Sequence, residues 1–426
     1  IVVFFGLLFL TIQHTDFERE MCKCKRKPFM KPELFFATDV TFHDSAAVTQ
    51  AWRRGPTMRV TNPRRRLRRL LFLLLIAAAT VTASGLDAGD GGTDTDHRTD
   101  PSSTESDQNE FVVAGYLPEW RYEGTDWDTT CAHVTHLILF SMEVTEDAKL
   151  TASDRFPHAH MDAIQEASRK HGCDLVLSIG GNKRTGGFPT VAKDKALSRK
   201  LARTLLYFVR QHNLHGVDFN WEYPNGEEEW RGLHRLLKIT RRVFDRHRDE
   251  TGTRFSISMA YYPDGRQEKI LTEFGASAHV DMAHGMAYDF GPGGHSTMEL
   301  AKNVVKNLER TGMNKSIATL GLPFYGRSMW KQGWRTYEDL ASEHPGLGTK
   351  GGGDEDPSGE YSLNGPDTIA KKVKLAMNAG LRGVMIWELG QDFHPGDGRS
   401  LLGAIAREVW PTGRPKPGRT TIKDEL

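Results

Sequence analysis

From Phe111 to Trp410, short apolar runs rich in Val, Ile, Phe and Tyr alternate with longer stretches of helical periodicity. The runs cover 111–117, 133–140, 174–180, 215–222, 254–260, 281–288, 316–322 and 382–388, which predicts eight strands. Eight strands separated by helices in about 300 residues fit a (β/α)8 barrel. The competing arrangement is a doubly wound open sheet, which carries nucleotides on a Gly-rich turn after an early strand. Here Gly180-Gly181 follows the third strand without the G-x-G-x-x-G spacing. The longest connection, about 330–380, joins strands seven and eight. Its first half, through Gly351-Gly352-Gly353-Asp354, reads as a surface loop, and 367–378 reads as a helix.

The chain before the barrel has a different pattern. Eight arginines crowd residues 53–69, and the apolar run Leu70–Ala79 follows directly. Ten apolar residues fall short of the roughly 20 that a membrane-spanning helix needs. The order basic, apolar, small therefore predicts a signal peptide over 58–83, opened by Met58 and cleaved after Ala83, with no stable membrane span. Residues 1–57 then precede the leader and are expected to be translated upstream sequence or a gene-model artefact; the rival, a type II membrane anchor with a cytosolic tail, is opposed by the short apolar core. Residues 84–110 are Ser, Thr, Asp and Gly with few apolar side chains and read as a disordered linker. Residues 411–426 read as an extended tail ending Lys423-Asp424-Glu425-Leu426, the address of the receptor that retrieves soluble proteins to the endoplasmic reticulum. The expected location is the lumen of that compartment, or outside the cell if the address is not used.

Positive and negative side chains nearly cancel at a formal net charge of +1, so the overall balance points to no nucleic acid partner. Cys22 and Cys24 fall in the upstream segment. Cys131 and Cys173 each precede a predicted strand and could meet at the bottom of neighbouring strands; an oxidising lumen permits a disulfide, and two buried thiols fit equally. No cysteine spacing matches a metal site. Asn314-Lys315-Ser316 is a glycosylation sequon.

The fourth run carries the chemistry. Alternate residues of a barrel strand point inward, and functional groups gather at the carboxyl ends. Asp218, Asn220 and Glu222 share the inward face, while Val217, Phe219 and Trp221 face the helices. Three polar groups in succession inside a barrel are costly unless they bond one another or a ligand.

The run His215-Gly216-Val217-Asp218-Phe219-Asn220-Trp221-Glu222 resembles the Asp-x-x-Asp-x-Asp-x-Glu signature of glycoside hydrolase family 18, the chitinases and endo-N-acetylglucosaminidases. It departs from it at His215 and Asn220. Further resemblance lies in Gly115-Tyr116, Ser178-Ile179-Gly180-Gly181, Met286-Ala287-Tyr288-Asp289, Pro323-Phe324-Tyr325-Gly326-Arg327 and Trp387, in family order across 111–410. The resemblance implies retaining, substrate-assisted endo-hydrolysis of β-1,4 N-acetylglucosamine linkages, in chitin oligomers or the N-glycan core, without any cofactor. In that scheme the sugar's own acetamido oxygen attacks the anomeric carbon and one protein acid serves.

By the same resemblance Glu222 is the acid, and Asp218 helps to raise its pKa. Asn220 holds the acetamido group where the family has a carboxylate. Its amide oxygen can accept the N–H bond but brings no charge to the cationic intermediate, and charge-assisted bonds are about twice as strong. A carbohydrate-binding protein with weak or no turnover is therefore the alternative. Glycosidase family 85, with an Asn two residues before its Glu, favours activity. Tyr288 would bond the acetamido oxygen, Asp289 the sugar hydroxyls, and Trp387 would form the floor. Tyr116 and Ser178 would support Asp218 from below, and Tyr223 and Met286 would line the site, although Met286 fits an ordinary core equally well. His215 is expected to be a satisfied structural histidine deep in the barrel. Trp120, Trp127, Trp330 and Trp334 are expected in top-face loops, stacking on further sugars. The large domain that many processive chitinases insert between strands seven and eight is not expected, because only about fifty residues are available there.

Overall fold

A computed structural model describes residues 110–415 apart from 292–293, 350, 352 and 355–358; the upstream segment, the leader, nearly all of the linker and the terminal tetrapeptide lie outside the described residues. Eight parallel strands form the centre: β1 (Val112–Pro118), β2 (His136–Val144), β3 (Asp174–Gly180), β4 (Gly216–Asn220), β5 (Ser256–Tyr261), β6 (Met282–Gly285), β7 (Ala318–Pro323) and β8 (Gly383–Trp387). Each pairs with its sequence neighbours, and β8 pairs with β1, so the sheet closes into the expected (β/α)8 barrel.

The apolar runs are nearly continuous because both faces of these strands are buried. Inward residues such as Val112, Ala114, Tyr116, Ile138, Val176 and Met385 fill the barrel. Their alternates, such as Val113, Leu117, Leu137, Leu177, Val217 and Phe219, pack against the surrounding helices. Those helices are α1 (Trp127–His133), α2 (Met161–His171), α3 (Lys195–Gln211), α4 (Gly226–Thr251), α5 (Arg266–Glu273), α6 (Met298–Thr311), α7 (Pro366–Asn378) and α8 (Leu401–Val409). Side-chain caps define several starts. Asp194 accepts from the amides of Ala196 and Leu197, Thr297 from Leu300 and Ser400 from Gly403.

Two strands stop earlier than the apolar runs do. β4 ends at Asn220 and β6 at Gly285, so Glu222 and the segment Met286–Asp289 stand just beyond the strand tips. The Gly180-Gly181 pair explains the first case. At Gly180, φ is 99°, and a Cβ would meet the Asn220 carbonyl oxygen at 2.4 Å; the Gly181 amide bonds that oxygen at 2.7 Å. The tip of β3 closes over β4 and ends the ladder there.

The connection after β7 carries more structure than a surface loop. Tyr325–Ser328 pairs antiparallel with Trp334–Thr336 and Tyr361–Ser362, and a short helix, Tyr337–Glu343, buries Tyr337, Leu340 and Ala341. The strands of this small sheet are only two to four residues long, too short for alternation to show in the sequence. No large insertion domain is present among the described residues. Cys131 in α1 and Cys173 before β3 are joined as a disulfide. Arg414 docks beside it, donating to the carbonyls of Cys131, Val134 and Gly172, so the first residues of the tail lie on the barrel.

Candidate active site

The carboxyl ends of the strands surround a cavity of about 270 Å³. Beneath it, Asp218 is wholly buried. The register places Ser178 of β3 and Ser258 of β5 beside it, and Tyr116 reaches across from β1. The hydroxyls of Tyr116 and Ser178 each donate to Asp218 Oδ2 at 2.9 Å, and Ser258 donates to Oδ1 at 2.8 Å. Burial pushes the Asp218 pKa up, and the three hydroxyls partly offset this. With both oxygens engaged and no place in the cavity lining, Asp218 acts as a buried anchor for the row.

Asn220 and Glu222 continue the row into the cavity. Glu222 is raised from 4.5 to about 7, chiefly by burial and further by the negative charges of Asp289 and Asp218. The Asn182 amide and the Asn220 side chain bond it and work the other way. It is thus half protonated near neutrality, as a proton donor should be. The Asn220 Oδ1 atom is buried and meets no donor among the described residues.

Asp289 is the opposite case. Its backbone has φ 61°, and burial alone would raise its pKa. The His295 ring, with Nδ1 at 3.5 Å, the Arg327 guanidinium at 3.8 Å and the Tyr325 hydroxyl at 2.9 Å outweigh burial and hold it below its usual value. The two carboxyl groups of the cavity are therefore driven apart, one toward acid and one toward anion. Trp387 lines one wall, with its ring 4.8 Å from Phe140 and 5.6 Å from Tyr116. Across the rim, Arg184 pairs with Glu119 at 2.7 Å and lies against the rings of Trp120 and Phe140.

Tyr116, Asn220, Glu222, Tyr223, Met286, Tyr288, Asp289 and Trp387 border the cavity, and Tyr116 and Ser178 also bond Asp218 below it. Several expectations need correction. His215 is exposed at the opposite end of β4, because odd-numbered residues of this strand face away from the barrel interior; its Nδ1 accepts the Leu175 amide at 2.9 Å. Trp127 is buried in the first turn of α1 against Tyr122 and His160. Trp330 and Trp334 belong to the small sheet and its turn and do not border the cavity; only Trp120 does.

The sequence pattern also missed Ser258, Asn182, Arg184, Tyr262 and His295. Ser258 had one available signal, a hydroxyl at an inward position of the mostly apolar strand Ser256–Tyr261.

A buried carboxyl tuned to neutrality beside an aromatic wall, at the carboxyl face of a (β/α)8 barrel, suits acid catalysis of glycoside cleavage. The chain belongs to the glycosyl hydrolases family 18, whose sequence profile matches residues 112–392. It is 24% identical over 344 residues to "Chitinase 1" of Aphanocladium album, spanning 65% of this chain and 81% of that protein. It is 23% identical over 340 residues to "Class V chitinase CHIT5" of Lotus japonicus, spanning 66% and 83%. Among solved structures, the class V chitinase of Nicotiana tobaccum superposes with a TM-score of 0.60 at 19% identity, covering 70% of this chain and all of that one. A chitinase from Bacteroides thetaiotaomicron gives 0.59 at 23%, covering 72% and 99%. At these identities the structural likeness is one of fold.

Proposed function

We propose that the protein hydrolyses β-1,4 linkages between N-acetylglucosamine units of chitin oligomers, with retention and with the substrate's acetamido group as nucleophile. The observation that carries this reading is the pairing of Glu222 with Asn220. Glu222 gives a proton to the leaving oxygen and then takes one from water. The open Oδ1 of Asn220 accepts the acetamido N–H and turns the acetamido oxygen toward the anomeric carbon. Tyr288 bonds that oxygen, Asp289 takes sugar hydroxyls and Trp387 stacks on the ring. Asp218 cannot serve as a nucleophile, since its oxygens are tied to three hydroxyls below the cavity. The matched relatives named as chitinases favour chitin; the N-glycan core is the second substrate class, favoured by the luminal location we propose from the leader and the terminal Lys423–Leu426. Retrieval by the matching receptor is testable by microscopy of a tagged chain with and without those four residues.

Asn220 also favours a second reading, carbohydrate binding with weak turnover, because a neutral amide gives less help to a developing cation. The test is to incubate purified protein with chitotetraose and with a high-mannose glycopeptide, beside Glu222→Gln and Asn220→Asp, reading early product anomers by NMR. A β-anomer from chitotetraose, lost in Glu222→Gln, is expected. No product from either substrate, with Asn220→Asp equally inert, overturns the hydrolase reading in favour of binding.

A further inference from the structure

A second recess of about 480 Å³ lies on the outer wall of the barrel, between α3 and α4 and away from the strand ends that carry Glu222. α3 contributes Lys195, Arg199, Arg203 and Arg210 to it, and α4 contributes Arg242 and Arg246. All six are exposed, and Glu250 is the one carboxylate of the lining. Nearby acids are engaged elsewhere, Asp245 and Asp249 with Arg248 and Asp147 with Lys149 and Lys200. None of the six makes an ion pair among the described residues. The whole-chain charge near zero conceals this local excess.

Steps of four set Lys195, Arg199 and Arg203, and likewise Arg242 and Arg246, about 6 Å apart, with Arg210 about 10 Å beyond Arg203, in rows facing across a recess roughly 20 Å long. Like charges at this spacing repel and destabilise a helix, so the fold itself gains nothing from them. Arginine predominates, and its planar fork suits bidentate contact with oxyanions. The floor is apolar, made by Leu206, Ile239 and Val243. An adjoining shallow recess adds Lys200, Thr204 and Tyr207, the last 67% exposed. An apolar floor between charged walls, with an aromatic ring at the margin, matches a chain that has both C–H faces and oxyanions.

We propose that the α3–α4 groove binds a linear sulfated polysaccharide, with sulfate esters on the arginine rows and sugar C–H faces on the floor. Adjacent helices lie only about 8–10 Å apart, too close to admit a nucleic acid duplex. A single exposed ring at the margin, Tyr207, falls short of the successive aromatic platforms on which a single strand stacks its bases. A membrane surface suits a convex patch better than a recess.

The test uses the full chain, a heparin-derived octasaccharide, its desulfated counterpart, a single-stranded oligonucleotide of equal charge and phosphatidylserine vesicles. The octasaccharide is expected to bind at about 0.15 M salt and to weaken as salt rises. Binding should fall at least about tenfold on desulfation and again in an Arg203→Gln, Arg246→Gln double variant, since charge-assisted contacts are lost. Chitotetraose turnover should be the same in the variant, which separates this proposal from the hydrolase reading. Absent octasaccharide binding, binding that the variant leaves unchanged, tighter capture of the oligonucleotide or vesicles, or self-association that the variant abolishes would overturn it.

Discussion

Replacing Glu222 with Gln should make the protein more stable at alkaline pH while it removes the proton donor. Folding moves this carboxyl from 4.5 to about 7, mainly by burial. A carboxyl whose pKa rises on folding holds more protons in the native state between those values, so stability falls as pH rises through that window. At 1.36 kcal/mol for each factor of ten, the gap is worth roughly 3 kcal/mol once the pH is well above 7, and nothing below 4.5. Gln keeps an oxygen for the Asn182 amide, and a flip of Asn220 lets its Oδ1 face the new NH₂. For a barrel of this size about 3 kcal/mol corresponds to an upward shift in Tm of roughly 6 °C. Calorimetry of both proteins at pH 4 and pH 8 measures it. The expected result is a Tm advantage at pH 8 that vanishes at pH 4. An advantage equal at both pH values, or a loss confined to pH 8, would refute the account of Glu222 as a destabilised anion.

Three other outcomes follow from the same geometry. In the wild type, kcat/KM should fall above about pH 7 as Glu222 loses its proton, and Asn220→Asp should move that limb upward by about one pH unit, because a carboxylate beside Glu222 opposes its ionisation; pH–rate profiles of the two proteins decide it. Ser258→Ala leaves Asp218 Oδ1 without its donor and should lower stability by about 1–3 kcal/mol in denaturant titration. Cys131→Ser with Cys173→Ser removes a link that closes a 42-residue separation and should lower stability by about 2–4 kcal/mol, with non-reducing peptide mass mapping of the wild type showing the linked pair.

The barrel was legible because its strands are buried on both faces, which writes them as apolar runs. The row Asp218, Asn220, Glu222 was legible because three polar side chains at period two contradict such a run. What supports the row was not. Ser258 meets Asp218 through a register between strands forty residues apart, and no local pattern encodes that pairing. His295 reaches Asp289 through the loop beyond β6, and Arg184 reaches Glu119 across the rim. The tryptophans misled because an indole in a top-face loop and one anchoring a helix, as Trp127 does, follow the same kind of polar neighbours in sequence. The small sheet after β7 went unread because its strands are two to four residues long, below what alternation can signal.

The amide at 220 has a further consequence for how the molecule meets its surroundings. With a neutral Asn between Asp218 and a half-protonated Glu222, the row within the barrel never gathers more than two negative charges, and it is shielded from mobile ions by the protein around it. Ionic strength should therefore leave the cleavage chemistry nearly untouched. The opposite holds for the arginine rows on the outer wall, which stand in solvent. A rise in salt should thus loosen the proposed polysaccharide contact while leaving turnover as it was.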